Sequence, residues 1–74
     1  MKDTAVTVET LRPSARRLYD GLRPGQSQTA ATRDVKDVLL ATDGWTFYLG
    51  RSYDIKSARI GPGVYRVWLT ERTI

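Results

Sequence analysis

The sequence predicts an α+β domain in which three helices precede a two-stranded antiparallel hairpin. The first observation is that residues 53–71 are rich in β-branched and aromatic side chains on both sides of a Gly61-Pro62-Gly63 loop, which is typical of two strands joined by a tight turn. The second is that apolar residues in 11–22 and 31–42 recur at the spacing of a helical face. Because a two-stranded ribbon is marginal alone, we expect the helices to cover its apolar face.

The register of the predicted hairpin follows from counting outward from the loop. This count pairs Ile60 with Val64, Arg59 with Tyr65, Ser57 with Val67 and Ile55 with Leu69. One face then carries Ile55, Ser57, Tyr65, Val67 and Leu69, and the other carries Lys56, Ala58, Arg66 and Trp68. We expect the first face to close the core. On the second, Lys56 opposite Trp68 forms either a cation–π pair or a contact for a partner.

The composition excludes several classes of chemistry. The 74 residues make one small domain with no cysteine and no histidine, so disulfides, thiolate metal sites and a serine–histidine pair are absent. Gly61-x-Gly63 has neither a following helix nor Lys-Ser/Thr, so a phosphate-binding loop is not expected. Asp34 and Asp37 have no third ligand in view and are predicted to lie on a solvated helix face. We therefore predict a protein that is not an enzyme and holds no metal or cofactor.

The charge is unevenly distributed along the chain. Residues 12–23 and 51–66 each carry +3, whereas residues 1–11 and 24–50 each carry −1. Two basic segments on a small domain fit contact with a polyanion. No apolar run reaches the ~18 residues of a membrane span and no signal-peptide pattern follows Met1, so we expect a soluble, cytoplasmic protein.

The first elements of the chain are a short arm and a helix. Residues 1–10 lack a helical period, and Ala5-Val6-Thr7-Val8 forms either a short edge strand or part of a loose arm. The domain proper spans residues 11–74. Its first helix, Leu11–Leu22, has Pro13 in the first turn and is stopped by Pro24-Gly25.

The second helix is predicted to begin at a cap formed by Thr29 or Thr32. Its apolar stripe consists of Ala31, Val35, Val38, Leu39 and Thr42. Asp34 lies in the first turn, where the helix dipole favours a negative charge. Asp43-Gly44 ends the helix, with glycine in a left-handed conformation.

Residues 45–53 fit two structures. Trp45, Tyr48, Leu49, Ser52 and Tyr53 have the spacing of a helical face, but Trp45, Phe47 and Leu49 also alternate as in a strand. The aromatic content favours the strand, and Gly50 lowers helix propensity by up to ~1 kcal/mol. The strand would give two helices on a three-stranded meander. We favour a third helix, because two helices, a short turn, a helix and a hairpin form a common small domain.

This order of elements resembles a winged helix-turn-helix. The residues that carry the resemblance are the helix Ala15–Leu22, the capped helix Gln28–Leu40, the turn Ala41–Gly44, the aromatic segment Trp45–Tyr53 and the hairpin ending in Gly63–Glu71. Within it, Leu49–Arg59 is similar to the junction of recognition helix and wing in small bacterial and phage winged-helix proteins. The resemblance covers about residues 11–71 of the chain.

The resemblance implies a set of DNA-binding residues. In that family the third helix enters the major groove, which would place the exposed side of residues 45–53 against DNA: Thr46, Phe47, Gly50 and Arg51, with Arg51 as the best candidate for a base contact. The wing touches the backbone or the minor groove, so Lys56, Arg59 and Arg66 are expected to contact phosphates. Arg33 of the second helix completes the expected set. Base readout is limited, since residues 45–53 contain one arginine and no Asn or Gln.

The sequence is compatible with two functions. The first is sequence- or shape-selective binding of double-stranded DNA, as a small transcriptional regulator or excision factor of a phage or mobile element. With few basic groups a monomer binds weakly, so a homodimer or a cooperative array on DNA is expected. The alternative is a small protein-binding module that modulates a host protein, suggested by the aromatic residues of 45–68 and by outward Phe47 and Trp68. Neither function involves a membrane.

Overall fold

The computed structural model describes residues 6–72, which form two helices on one face of a four-stranded antiparallel sheet. A 3-10 turn at Val8–Thr10 is followed by α1 (Pro13–Gly21), β1 (Gln28–Ala31), α2 (Thr32–Thr42), β2 (Trp45–Tyr48), β3 (Arg51–Gly61) and β4 (Val64–Glu71). The strand order is β1-β4-β3-β2. Helices and antiparallel strands are both present, but the predicted architecture of three helices and a two-stranded hairpin, the winged-helix arrangement, is wrong.

The predicted third helix is instead β2 and the start of β3. The two strands pair antiparallel, with Thr46 opposite Tyr53. Leu49 and Gly50 between them both have positive φ, 48° and 81°, as a type I′ turn requires. The twist of this two-residue turn matches that of the flanking strands, so it stabilises a hairpin where a helix was expected.

The strand β1 lies where a loop and a helix cap were expected. Gln28 pairs with Val67 and Ala31 with Val64, so β1 forms on the open edge of β4. The helix α2 follows at once, with Ala31 at its N-cap and no side-chain cap hydrogen bond, so the predicted threonine cap is wrong. The Thr32 N–H donates instead to the Gly63 carbonyl at 3.1 Å, which satisfies one of the donors left unpaired at a helix start.

The β3–β4 hairpin confirms the predicted register over most of its length. Arg59 lies opposite Tyr65, Ser57 opposite Val67 and Ile55 opposite Leu69. Near the loop, Val64 pairs with Gly61 rather than with Ile60, and the register shifts between Arg59 and Gly61. The predicted pairing of Ile60 with Val64 is therefore wrong, because Ile60 is the extra residue of a bulge.

The core lies between the helices and the sheet. Its buried apolar residues are Ala15, Leu18 and Leu22 from the first helical stripe, Val35 and Val38 from the second, and Ile55, Val67 and Leu69 from the hairpin. Most of the two stripes and of the inner hairpin face is thus confirmed as core, but Ala31 of the second stripe and Ser57 of the hairpin face are exposed. The end of α2 is also confirmed, because Asp43 and Gly44 both adopt positive φ.

One polar residue is buried where a solvated helix face was predicted. Asp34 is 8% exposed and accepts a hydrogen bond from the Ser14 hydroxyl at 2.8 Å, which joins α2 to α1. Asp37 pairs with Arg12 at 2.6 Å on the same side of α2. The solvated-face prediction is therefore wrong for Asp34, and both carboxylates face α1 and the residue before it.

The short strand or loose arm predicted for residues 1–10 lies only partly within the described residues. Ala5 and the residues before it lie outside the described residues, and residues 6–10 contain the 3-10 turn and no strand. Neither helix of the described region is long and apolar enough to cross a membrane.

Candidate nucleic-acid interface

Five basic side chains gather where the β3–β4 hairpin meets the start of α2. We call this group the basic end; it comprises Arg33, Lys36, Lys56, Arg59 and Arg66. All five are exposed. Four of them belong to the DNA-binding set expected from the sequence, and Lys36 is new.

The fold brings α2 and the hairpin together at this end. The hydrogen bond from Thr32 to Gly63 ties the first residue of α2 to the hairpin loop. One turn further along α2, Lys36 lines a groove of about 310 Å³ together with Ser57 of β3 and Tyr65 of β4. Lys36 therefore lies on the helix side of the hairpin, the side to which Arg59 belongs, whereas Lys56 and Arg66 are on the opposite face.

The hairpin carries cations on both of its faces. Arg66 lies opposite Ala58, and by the alternation of side chains it shares the open face with Lys56. Arg59 lies opposite Tyr65, on the face that packs against the helices farther down the ribbon, and its Nε donates to the Gly61 carbonyl at 3.3 Å. Lys56 and Arg66 therefore face away from the helices, and Arg59 belongs to the helix side near the hairpin loop.

Four acidic residues in the described part of the chain are paired with cations outside the basic end. Within residues 6–72 the ion pairs are Arg12–Asp37, Arg16–Asp20, Arg51–Glu71 and Arg72–Asp54. None of them involves the basic end. Of the twelve basic and eight acidic residues of the chain, the basic end holds five basic ones, so the other seven basic and eight acidic residues together carry −1. The net charge of +4 is therefore concentrated in one place.

The other residues of the expected DNA-binding set lie at the opposite end of β3. Arg51, expected to contact a base, donates to Glu71 at 2.6 Å, and this hydrogen bond raises the pKa of Arg51 and compensates its charge. Thr46 and Phe47 are on the adjacent β2. Eight residues of strand separate Arg51 from Arg59, which corresponds to about 26 Å. The structure therefore divides the expected set into two distant groups.

Lys56 and Trp68 are opposite each other as predicted, but the cation–π pair, one of the two alternatives for them, does not form. In the described part of the chain, cations lie over aromatic rings at Arg23 with Tyr48, 5.0 Å from the centroid, and at Arg72 with Trp45, 5.3 Å. Trp68 is only partly exposed. The Lys56 ammonium is therefore available to an external anion.

Lys36 was missed because its neighbours in the fold come from β3 and β4. The available signal was its position three residues after Arg33, which places the two cations side by side on a helix. For metals the described residues offer little: no three Asp or Glu side chains among them lie close enough together to hold an ion.

Comparison of the chain with models of protein families, with curated proteins and with solved structures found no match. Function is therefore inferred from the surface itself.

Proposed function

We propose that this domain binds double-stranded DNA through the basic end, chiefly by contacts to phosphates. The observation that supports this is the separation of charge: five exposed cations on one end carry +5, while the rest of the chain carries −1. Such a field attracts a polyanion and orients its approach. A small regulator or recombination factor acting on DNA in the cytoplasm is the role we assign to this surface.

The shape of the basic end suits a duplex. The hairpin is not a free ribbon, because β1 pairs with β4 along residues 64–67 and α2 begins beside the hairpin loop. The open face of the sheet, which carries Lys56 and Arg66, can lie along a duplex, and Arg59 near the hairpin loop can reach a neighbouring phosphate. Phosphate contacts position a protein on DNA without reading its sequence, so selectivity for DNA shape is expected to exceed selectivity for base sequence.

Arg51 has a secondary place in this proposal. Its pairing with Glu71 is exposed, and such pairs contribute about 0–1 kcal/mol, so DNA could compete with Glu71 for the guanidinium. Contact by Arg51 nevertheless requires the loss of that pair, whereas the basic end has no carboxylate partner to displace within residues 6–72.

Salt dependence of binding to a random-sequence duplex tests the proposal, with fluorescence anisotropy as the readout. Five phosphate contacts predict a slope of log K against log salt of about −4.5, since each contributes about −0.9. The double variant Arg59→Ala/Arg66→Ala should weaken binding and reduce the slope by about 2. The control, Arg16→Ala/Arg17→Ala, removes the same charge from α1 and should leave the slope unchanged.

Two results would contradict the proposal. If both double variants weaken binding equally, net charge and not the basic end determines affinity. If polyglutamate competes as well as duplex DNA at equal charge concentration, the surface recognises negative charge without regard to the duplex.

A further inference from the structure

The strand β2 has an open side. Among residues 6–72 it pairs only with β3, at the edge of the sheet opposite β1. The two-residue turn makes Tyr48 and Arg51 the closing hydrogen-bonded pair of the hairpin, and the Ile55 N–H donates to the Gly44 carbonyl at 2.8 Å. Hydrogen-bonded pairs occur at every second residue of an antiparallel ladder. The N–H and C=O groups of Trp45 and Phe47 therefore point away from the sheet.

Nothing in the sequence of β2 blocks pairing with another strand. Natural edge strands are usually protected by charged side chains, proline or a bulge. β2 consists of Trp-Thr-Phe-Tyr, has no charge and no proline, and pairs with β3 without a register shift. Outside the ladder, the backbone of Trp45 and Phe47 makes no hydrogen bond to described residues.

Exposed apolar side chains lie near this edge. Phe47 is 64% exposed, and Leu40 at the end of α2 is 60% exposed. Both line a groove of about 380 Å³ beside β2, together with apolar residues such as Tyr19 and polar ones such as Asp43. A strand added to the edge would therefore bury apolar surface as well as satisfy backbone groups.

We propose that the open edge of β2 pairs with β2 of a second copy of this chain, which makes the protein a two-fold homodimer. The two-fold axis of the dimer lies between the two Thr46 residues, so that Trp45 of one copy is opposite Phe47 of the other. Both of these pairs are then hydrogen-bonded, because the backbone groups involved are the ones that point outward. The two copies form one continuous eight-stranded sheet.

The pattern and the charge of β2 suit a second copy as the occupant. With Thr46 on the axis the strand is its own complement, since each outward-pointing Trp45 backbone meets an outward-pointing Phe47 backbone. β2 contains no charged residue, and Arg72, whose guanidinium lies over the Trp45 ring, is paired with Asp54, so the cation at this contact is compensated.

The hairpin cation of the basic end that lies nearest along the strand is Lys56, three residues beyond Tyr53 and about 10 Å from the level of Thr46, so the Lys56 residues of the two copies are at least about 20 Å apart. Because the Debye length is about 8 Å at physiological ionic strength, the basic ends contribute little repulsion to this contact.

The contact is small, so the dimer should be weak. Phe47, Trp45 and Leu40 together leave much less than the ~800 Å² per partner of a standard interface. We therefore expect reversible dimerisation that depends on protein concentration.

Sedimentation velocity over a range from about 5 µM to 1 mM, where weak contacts of this size associate, tests the proposal. Wild-type protein should shift from monomer to dimer. Phe47→Lys should remain monomeric, because it places a charge on the edge. Phe47→Pro should do the same, because it removes only an N–H that points outward. Ile60→Lys, the same charge change at the far end of the sheet, should dimerise like the wild type.

A wild-type protein that is monomeric throughout the range would overturn the proposal. Dimerisation of a folded Phe47→Lys variant with unchanged affinity would do so as well, since it would place the contact elsewhere. Circular dichroism establishes that each variant is folded, and Phe47→Lys keeps the test decisive if Phe47→Pro unfolds.

Discussion

The hydrogen bond between Ser14 and Asp34 should contribute measurably to the stability of this small domain. It joins α1 to α2 at 2.8 Å, and its acceptor is the one charged residue among those described that is buried. Hydrogen bonds to charged groups contribute about 1.5–3 kcal/mol, and Asp34 also gains about 0.3–1 kcal/mol from its place in the first turn of α2. A domain of this length has a free energy of unfolding of roughly 4–11 kcal/mol, so these are large fractions.

A double-mutant cycle isolates the contribution of the pair. Ser14→Ala should lower the free energy of unfolding by about 1–3 kcal/mol, because it leaves the Asp34 carboxylate without its donor. Asp34→Ala should lower it by about 2–3 kcal/mol. The double variant should be less destabilised than the sum, with a coupling energy of about 1–2 kcal/mol. Urea unfolding followed by tryptophan fluorescence measures all four proteins, provided that the m-value is unchanged.

The exposed pair Arg16–Asp20 is the control for this cycle. Its side chains are 47% and 57% exposed, and it connects residues four apart on α1, for which a coupling of about 0.3–0.5 kcal/mol is expected. If the coupling between Ser14 and Asp34 is no larger than that of the control, the carboxylate is solvated and the packing of α1 against α2 described above is incorrect.

Two further predictions concern the core and the β2–β3 turn. Val38→Ala should lower the free energy of unfolding by about 2–3 kcal/mol, because it removes two carbons worth about 0.8 kcal/mol each and leaves a cavity. Val64 is 38% exposed, so Val64→Ala should lower it by less than half as much. If urea unfolding gives equal losses for the two variants, Val38 does not lie in the core. Leu49→Asn should raise the free energy of unfolding by about 0.5–1 kcal/mol, because leucine is unfavourable at φ 48°. Gly50→Ala should lower it by at least as much. An unfolding temperature that is higher for Gly50→Ala than for Leu49→Asn would contradict the turn geometry.

The elements that sequence predicts well are those whose pattern is local. The register of Ile55 with Leu69 follows from alternation and a central loop, and both are confined to one hairpin. The helical stripes follow from a repeat within twelve residues. By contrast, Gln28–Ala31 has little intrinsic strand preference and becomes a strand because β4 offers an open edge beside it. That partner is almost 40 residues away in sequence and leaves no local signal.

The helix predicted for the segment after α2 is wrong for a different reason. Trp45–Tyr48 fits both a helical and a strand pattern, so periodicity cannot decide between them. The decision lies in Leu49-Gly50, where a bulky residue adopts a positive φ that its own preference disfavours. A sequence with Asn at this position would have indicated the turn directly.

The candidate site was predictable in part. Lys56, Arg59 and Arg66 follow from the hairpin register alone, whereas the place of α2 beside them depends on the contact of Thr32 with Gly63. The pairing of Arg51 with Glu71 could also have been predicted. The predicted register puts Glu71 opposite Tyr53, and Tyr53 is two residues from Arg51.

Because β2 replaces the expected third helix, dimerisation through β2 would also change how the protein contacts DNA. In the dimer proposed here, the two-fold axis is perpendicular to the sheet, so the open faces of both copies lie on the same side. On these open faces Arg66, opposite Ala58, lies about 17 Å from the axis along the strands, which separates the two copies of Arg66 by about 33 Å, close to the 34–36 Å of one helical turn of DNA. A dimer could then reach two successive grooves, whereas a monomer reaches one. Because Phe47 is far from the basic end, disruption of the dimer removes the second groove contact and leaves the first intact, so the two proposals can fail independently.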